Sequence, residues 1–142
     1  MKGFTLIEII LSVGLIGIVS TAIVPSYSKL INSNGLESET SKIKENIRYA
    51  RSIAKSGKYS DNYGVYFQAS RYTLYSGSDY GTRDTSTEKI FEINDRLELS
   101  NYDEINFEMD TGLPDVTGTL KITNTANENS TTLEVNKLGL IK

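Results

Sequence analysis

One stretch limits the folds open to this chain more than any other. Residues 4–24 are apolar almost throughout, yet position 8 is a glutamate. As a helix rising about 1.5 Å per residue, 21 residues reach roughly 31 Å, close to the thickness of a bilayer's hydrocarbon core. A secretory signal peptide has an apolar stretch of about 7–15 residues and a small-x-small cleavage site. This run is longer and closes on Pro25. Ser12, Gly14, Gly17, Ser20 and Thr21 lie inside it, and small residues let helices approach closely. An ionised carboxylate at the centre of a bilayer costs about 2.5–3.5 kcal/mol. Glu8 therefore needs a partner, or a place near the interface where it favours the positive end of its helix.

Beyond Pro25 the pattern turns polar. Ile43, Ile47, Ala50 and Ala54 recur at helical spacing and form one apolar stripe. Gly57 is placed to stop that helix. The 32–35 stretch, Asn-Ser-Asn-Gly, reads as a hinge or break between the two helical patterns. From about residue 63 the period becomes two. The runs GVYFQ, RYTLYS, KIFEIN, RLELS, INFEM, TLKIT and TTLEVN alternate with clusters of Gly, Asn, Asp and Ser, SGSDYGTRDTST among them. They predict seven short antiparallel strands with no helices between them, which argues against a βαβ layout.

Composition narrows the chemistry. The chain has no histidine and no cysteine, so Ser/His/Asp and Cys/His catalytic sets are excluded, and disulfides with them. No phosphate-binding glycine loop and no motif-placed carboxylate pair appears. No catalytic residue, resident metal or cofactor is expected. The net charge of −3 gives no bulk electrostatic reason to bind nucleic acid.

The block Lys2-Gly3-Phe4-Thr5-Leu6-Ile7-Glu8 resembles the processing site of type IV pilins and type II secretion pseudopilins. The resemblance implies cleavage by a prepilin peptidase between Gly3 and Phe4, followed by N-methylation of Phe4. It makes Glu8 the fifth mature residue and Pro25 the twenty-second, both in the family's register. It further implies that Glu8 meets the N-terminal amine of a neighbouring subunit, acting in assembly, and that the Gly17 to Pro25 segment is the soft part of the helix. Further along, IRYARSIAKSG (47–57), INFEMDTGLPDVTGTLKI (105–122) and TLEVNKLGLIK (132–142) resemble the minor pseudopilins of the GspH/FimT type. Leu140 departs from that pattern, since an arginine is frequent after the glycine that Gly139 matches.

Three other groupings invite function. Lys44, Arg48, Arg51 and Lys55 form a basic helical stripe that could contact DNA phosphates; a solvated face, or a seat for acidic residues of neighbouring subunits, is the simpler reading. Asp110 and Asp115, with Thr111 and Thr117, could ligate calcium, but read more simply as a turn, and Asp79 and Asp84 carry no more weight. The nine tyrosines suit a half-buried sheet face, with an adhesive or sugar-binding surface as the alternative.

The expectation is an α+β chain of pilin-like fold: a long N-terminal helix, membrane-spanning in its first half, packed against a C-terminal antiparallel β domain. Its parts are a leader (1–3), a transmembrane and assembly helix (4–24), the continuation of that helix (25–57) and the β domain (58–142). The function this implies is a structural, minor subunit of a type IV pilus or type II secretion pseudopilus. The alternatives are a DNA-binding competence pilin and a major pilin. The partners implied are prepilin peptidase, other pilin subunits in a helical filament, an inner-membrane assembly platform and membrane lipid. The chain would be a single-pass inner-membrane protein before assembly and part of an extracellular or periplasmic filament after it.

Overall fold

A computed structural model of the chain describes residues 5–101 and 103–142, apart from the side chains of 17–34. The chain forms two compact units, Met1–Gly35 and Leu36–Lys142. The elements run α1 (Leu6–Ser56), β1 (Tyr63–Gln68), β2 (Arg71–Ser76), β3 (Asp84–Glu92), β4 (Leu97–Ser100), β5 (Glu104–Phe107), β6 (Gly118–Asn124) and β7 (Ser130–Val135).

The second unit is built around the stripe expected from spacing. Ile43, Ile47, Ala50 and Ala54 are each at most 1% exposed. Alanine at two of these positions leaves room for the large side chains of the sheets. The helix stops at Gly57, whose φ of 62° lies in the left-handed region where glycine is favoured. The Gly57 N–H donates to the Ala54 carbonyl at 3.0 Å, and the Asp110 N–H reaches the same carbonyl at 3.1 Å. A turn from the β domain thus caps the helix.

Seven strands form where the period-two runs lie. They make a four-stranded sheet, β3-β2-β1-β5, and a three-stranded sheet, β4-β6-β7, with every pairing antiparallel. Register follows burial. Val65 pairs with Leu74 and Ile105, and Tyr63 with Phe107, so these side chains share the core face. Leu99 pairs with Ile122, and Leu120 with Leu133. The sheets are joined where the Leu99 N–H of β4 donates to the Ala69 carbonyl, in the β1–β2 turn, at 3.0 Å, and the Phe67 N–H, donating to the Asp103 carbonyl at 2.7 Å, extends the β1–β5 ladder by one residue.

Two expectations need correction. The fold is mostly β rather than an α+β chain led by a long membrane-spanning helix of pilin-like type. The helical stretches whose side chains are described are 6–16 and 35–56, and among the described residues no helix is long and apolar enough to cross a membrane. The rest of the apolar run, with Gly17 and Pro25, lies outside the described side chains, and Gly3 and Phe4 lie outside the described residues altogether; the 32–35 stretch, read as a hinge or break, falls within α1 (Leu6–Ser56). The second correction concerns SGSDYGTRDTST, read as a loop. Its last four residues open β3, where Asp84 pairs with Ser76 across a bulge between Leu74 and Ser76. Polar composition hid the strand because this end of β3 is exposed on both faces.

Candidate functional site

The N-terminal site is a short polar line on an otherwise apolar helix. Leu6, Ile7, Ile9, Ile10, Leu11, Val13, Leu15 and Ile16 are 56–77% exposed. These positions point in every direction around the helix axis, so no single apolar face is turned away from solvent. Among them sits Glu8. Its Oε2 accepts both the Thr5 N–H and the Thr5 hydroxyl, each at 3.3 Å. A glutamate three residues into a helix that reaches back to the cap residue's N–H is one half of a capping box. The Ser12 hydroxyl donates to the Glu8 carbonyl at 2.7 Å, extending the polar line by one turn. Within a single chain, then, the carboxylate already serves its own helix end. Thr5 is the residue that the sequence reading missed, although the Thr-x-x-Glu spacing was there to be read.

The basic stripe is divided by the fold. The Arg51 Nε donates to the Gly112 carbonyl at 3.1 Å, and the side chain is half-buried. Two left-handed glycines enclose it. A Cβ on Gly139 (φ 69°) would stand 2.7 Å from the Arg51 Nε, and one on Gly112 (φ 64°) would stand 3.2 Å from the Lys55 Cβ and 3.4 Å from the Arg51 Cγ. Segments 47–57, 105–122 and 132–142, singled out separately in the sequence, thus converge on Arg51. Arg48 and Lys55 stay exposed and Lys44 is half-buried. Lys55 in the last helical turn also complements the negative end of the helix dipole.

The tyrosines pack on both faces of the four-stranded sheet. On the core face Tyr72 stacks on Phe91 at 5.1 Å, and its hydroxyl accepts the Asn46 amide N–H at 2.7 Å. On the outer face the Tyr75 ring lies across Gly64, where a Cβ would be 2.4 Å from the ring. The Tyr75 hydroxyl donates to the Glu104 carboxylate and accepts from the Asn106 amide at 2.9 Å. Burial first, then the Glu104 hydrogen bond, raises the Tyr75 pKa well above the usual phenol value. Tyr80 stacks on Tyr66 at 3.9 Å, with the Arg83 guanidinium 3.9 Å from its ring centroid. Arg83 also pairs with Glu88 at 2.8 Å. These contacts lay the 77–83 loop over the outer face, so the tyrosines read as packing.

The aspartates are likewise occupied locally. The Asp115 carboxylate accepts the Asn106 N–H at 3.0 Å and the Val116 N–H at 2.8 Å, as an aspartate does in a turn. Hydrogen bonds from Thr82 hold the Asp79 carboxyl below its ordinary pKa, and those from Ser86 do the same for Asp84. Among the described residues no group of three or more acidic side chains is placed to hold a metal ion. Comparison with known families, curated proteins and solved structures finds no match to the chain.

Proposed function

We propose that the chain is a structural subunit of a type IV pilus or type II secretion pseudopilus. It is held at the inner membrane through its apolar N-terminal residues before assembly, with residues 36–142 outside. Prepilin peptidase cleaves it between Gly3 and Phe4, and Phe4 is then methylated. The observation that carries this reading is the register of Gly3, Phe4, Glu8 and Pro25 around one apolar run. The helical stretch 6–16 supports it, because eight large apolar side chains exposed on every side require a covering of lipid or of other helices. On assembly the Glu8 carboxylate leaves Thr5 for the N-terminal amine of a neighbour. Removing one member of such a pair leaves the other buried and uncompensated.

A phosphate-reading role finds little support, because Arg51, in the middle of the basic stripe, is engaged by Gly112.

Mass spectrometry of filaments sheared from the source cells tests the reading. It expects an N-methylated peptide beginning at Phe4, and the abundance of that peptide ranks the subunit as minor or major. Glu8→Ala should still be processed yet be depleted from filaments. A chain that keeps residues 1–3 and never enters filaments would overturn the reading.

A further inference from the structure

Around Arg51 the helix and two loops enclose a depression lined by one sign of charge. It holds about 220 Å³ and is lined by Arg48, Arg51, Ser52 and Lys55, three cations and a hydroxyl with no carboxylate among them. These residues stand three or four positions apart, so they are neighbours on one face of α1. Glu45 comes three residues before Arg48, and Glu108 and Asp110 belong to the turn that caps the helix. None of the three pairs with a lining cation, since the ion pairs among the described residues are Lys42–Glu39 and Arg83–Glu88.

Arg51 is the fixed member of the group. Its Nε–H donates to the Gly112 carbonyl at 3.1 Å, and its two terminal nitrogens have no partner among the described residues. Gly139 leaves it no room to swing, because a Cβ there would stand 2.7 Å from the Nε and 3.0 Å from the Cδ. A guanidinium offers paired N–H groups that match two oxygens of an oxyanion, and a side chain ordered beforehand is not ordered at the ligand's expense. Arg48, the Ser52 hydroxyl and Lys55 are exposed and likewise have no hydrogen-bond partner among the described residues. The bond to Gly112 therefore acts differently on long and short anions. It interrupts the row of cations that a DNA backbone would follow, and it presets one fork for a compact ligand. Several positive charges around one small space favour an anion that carries more than a single charge.

We propose that this depression binds a compact oxyanion carrying at least two negative charges, the chemistry shared by phosphate monoesters and small polycarboxylates. Arg51 takes two oxygens through its terminal nitrogens. Arg48 and Lys55 balance the remaining charge from the turns on either side, and Ser52 donates its hydroxyl. The site stands whether or not the chain enters filaments.

Full-length ¹⁵N-labelled chain in an uncharged detergent is titrated at neutral pH and constant ionic strength with inorganic phosphate, citrate or acetate, and the arginine Nε–H and backbone amide resonances are followed. Phosphate or citrate should shift the Arg51 Nε–H and the Gly112 and Gly139 amides to saturation, with acetate weaker by about tenfold or more. Saturation by phosphate alone identifies the ligand class as a phosphate monoester, and saturation by citrate alone as a polycarboxylate. Arg48→Gln and Lys55→Gln, both solvent-facing, should each weaken binding by about three- to tenfold and leave the thermal melt unchanged. Arg51→Lys keeps the charge and loses the fork, and should weaken binding by about tenfold or more. Shifts that rise without saturating, or that are no larger at Arg51 than at Arg71, Arg83 and Arg96, would overturn the site. Equal binding by the Arg51→Lys and unaltered chains would overturn it too, because charge alone would then account for the shifts.

Discussion

At the scale of single residues, the least comfortable group in the core is the Tyr63 hydroxyl. The side chain is 1% exposed, and the hydroxyl has no hydrogen-bond partner among the described residues. Burial first, then the nearby Tyr59 and Tyr49, pushes its pKa up to about 12. An unfolded tyrosine ionises near 10, so the folded state holds this proton more tightly. The resulting stability is complete below about pH 10 and is lost as pH rises towards about 12. Tyr63→Phe removes both the unpaired hydroxyl and the titration. We expect it to stabilise the domain by about 1 kcal/mol at neutral pH and to flatten the alkaline loss, as read by urea melts at pH 7 and 11. Gly64 is the opposite case. Its missing Cβ is where the Tyr75 ring rests, 2.4 Å away, and that ring is fixed by Glu104 and Asn106. Gly64→Ala should cost about 1–3 kcal/mol, and distinctly less in a Tyr75→Ala background, a coupling that a double-mutant cycle would read.

At the scale of elements, the helical stripe is the most exposed to test. Ile47→Ala should cost about 2–5 kcal/mol through the cavity it opens, whereas Arg48→Ala, one residue on but solvent-facing, should stay within about 0.5 kcal/mol. Thermal melts of the two variants check the contrast. This stripe was legible because helical spacing leaves a period in the sequence, and the strand runs were legible for the same reason. What the sequence hid has physical causes. The polar start of β3 carries no alternation because both its faces meet solvent. The two-sheet split depends on pairings such as Leu99 with Ile122, which unite distant segments. The enclosure of Arg51 needs two glycines 27 positions apart in number, Gly112 and Gly139, to reach left-handed φ beside one side chain. Glu8 drew attention as a charge among apolar residues, and its bond to Thr5 went unread although Thr-x-x-Glu ahead of an apolar run itself marks a helix start.

At the scale of the whole molecule, the core cluster begins at Ile43 and runs to Ile141, entirely within the second unit. Residues 36–142 expressed alone should therefore fold, and give a cooperative melt within a few degrees of the full chain by circular dichroism. A broad, non-cooperative melt would show that residues before 36 carry part of the stability. The sheets of this unit are also closed off in a particular way. Beside β7 the chain turns back, so that Glu134 and Lys142 exchange both backbone hydrogen bonds, at 3.2 and 3.1 Å. Beside β5, Phe107 bridges to Pro114, and the Asp115 N–H reaches the Asn106 carbonyl at 2.9 Å. β4 meets Ala69. Among the described residues β3 is the edge without such cover, and it carries a bulge together with Glu88, Lys89 and Glu92, devices that discourage strand addition. A domain closed in this manner has almost no backbone to lend to a neighbour. Any polymer it enters must be joined by side chains, and could come apart into intact subunits without a single strand being unzipped.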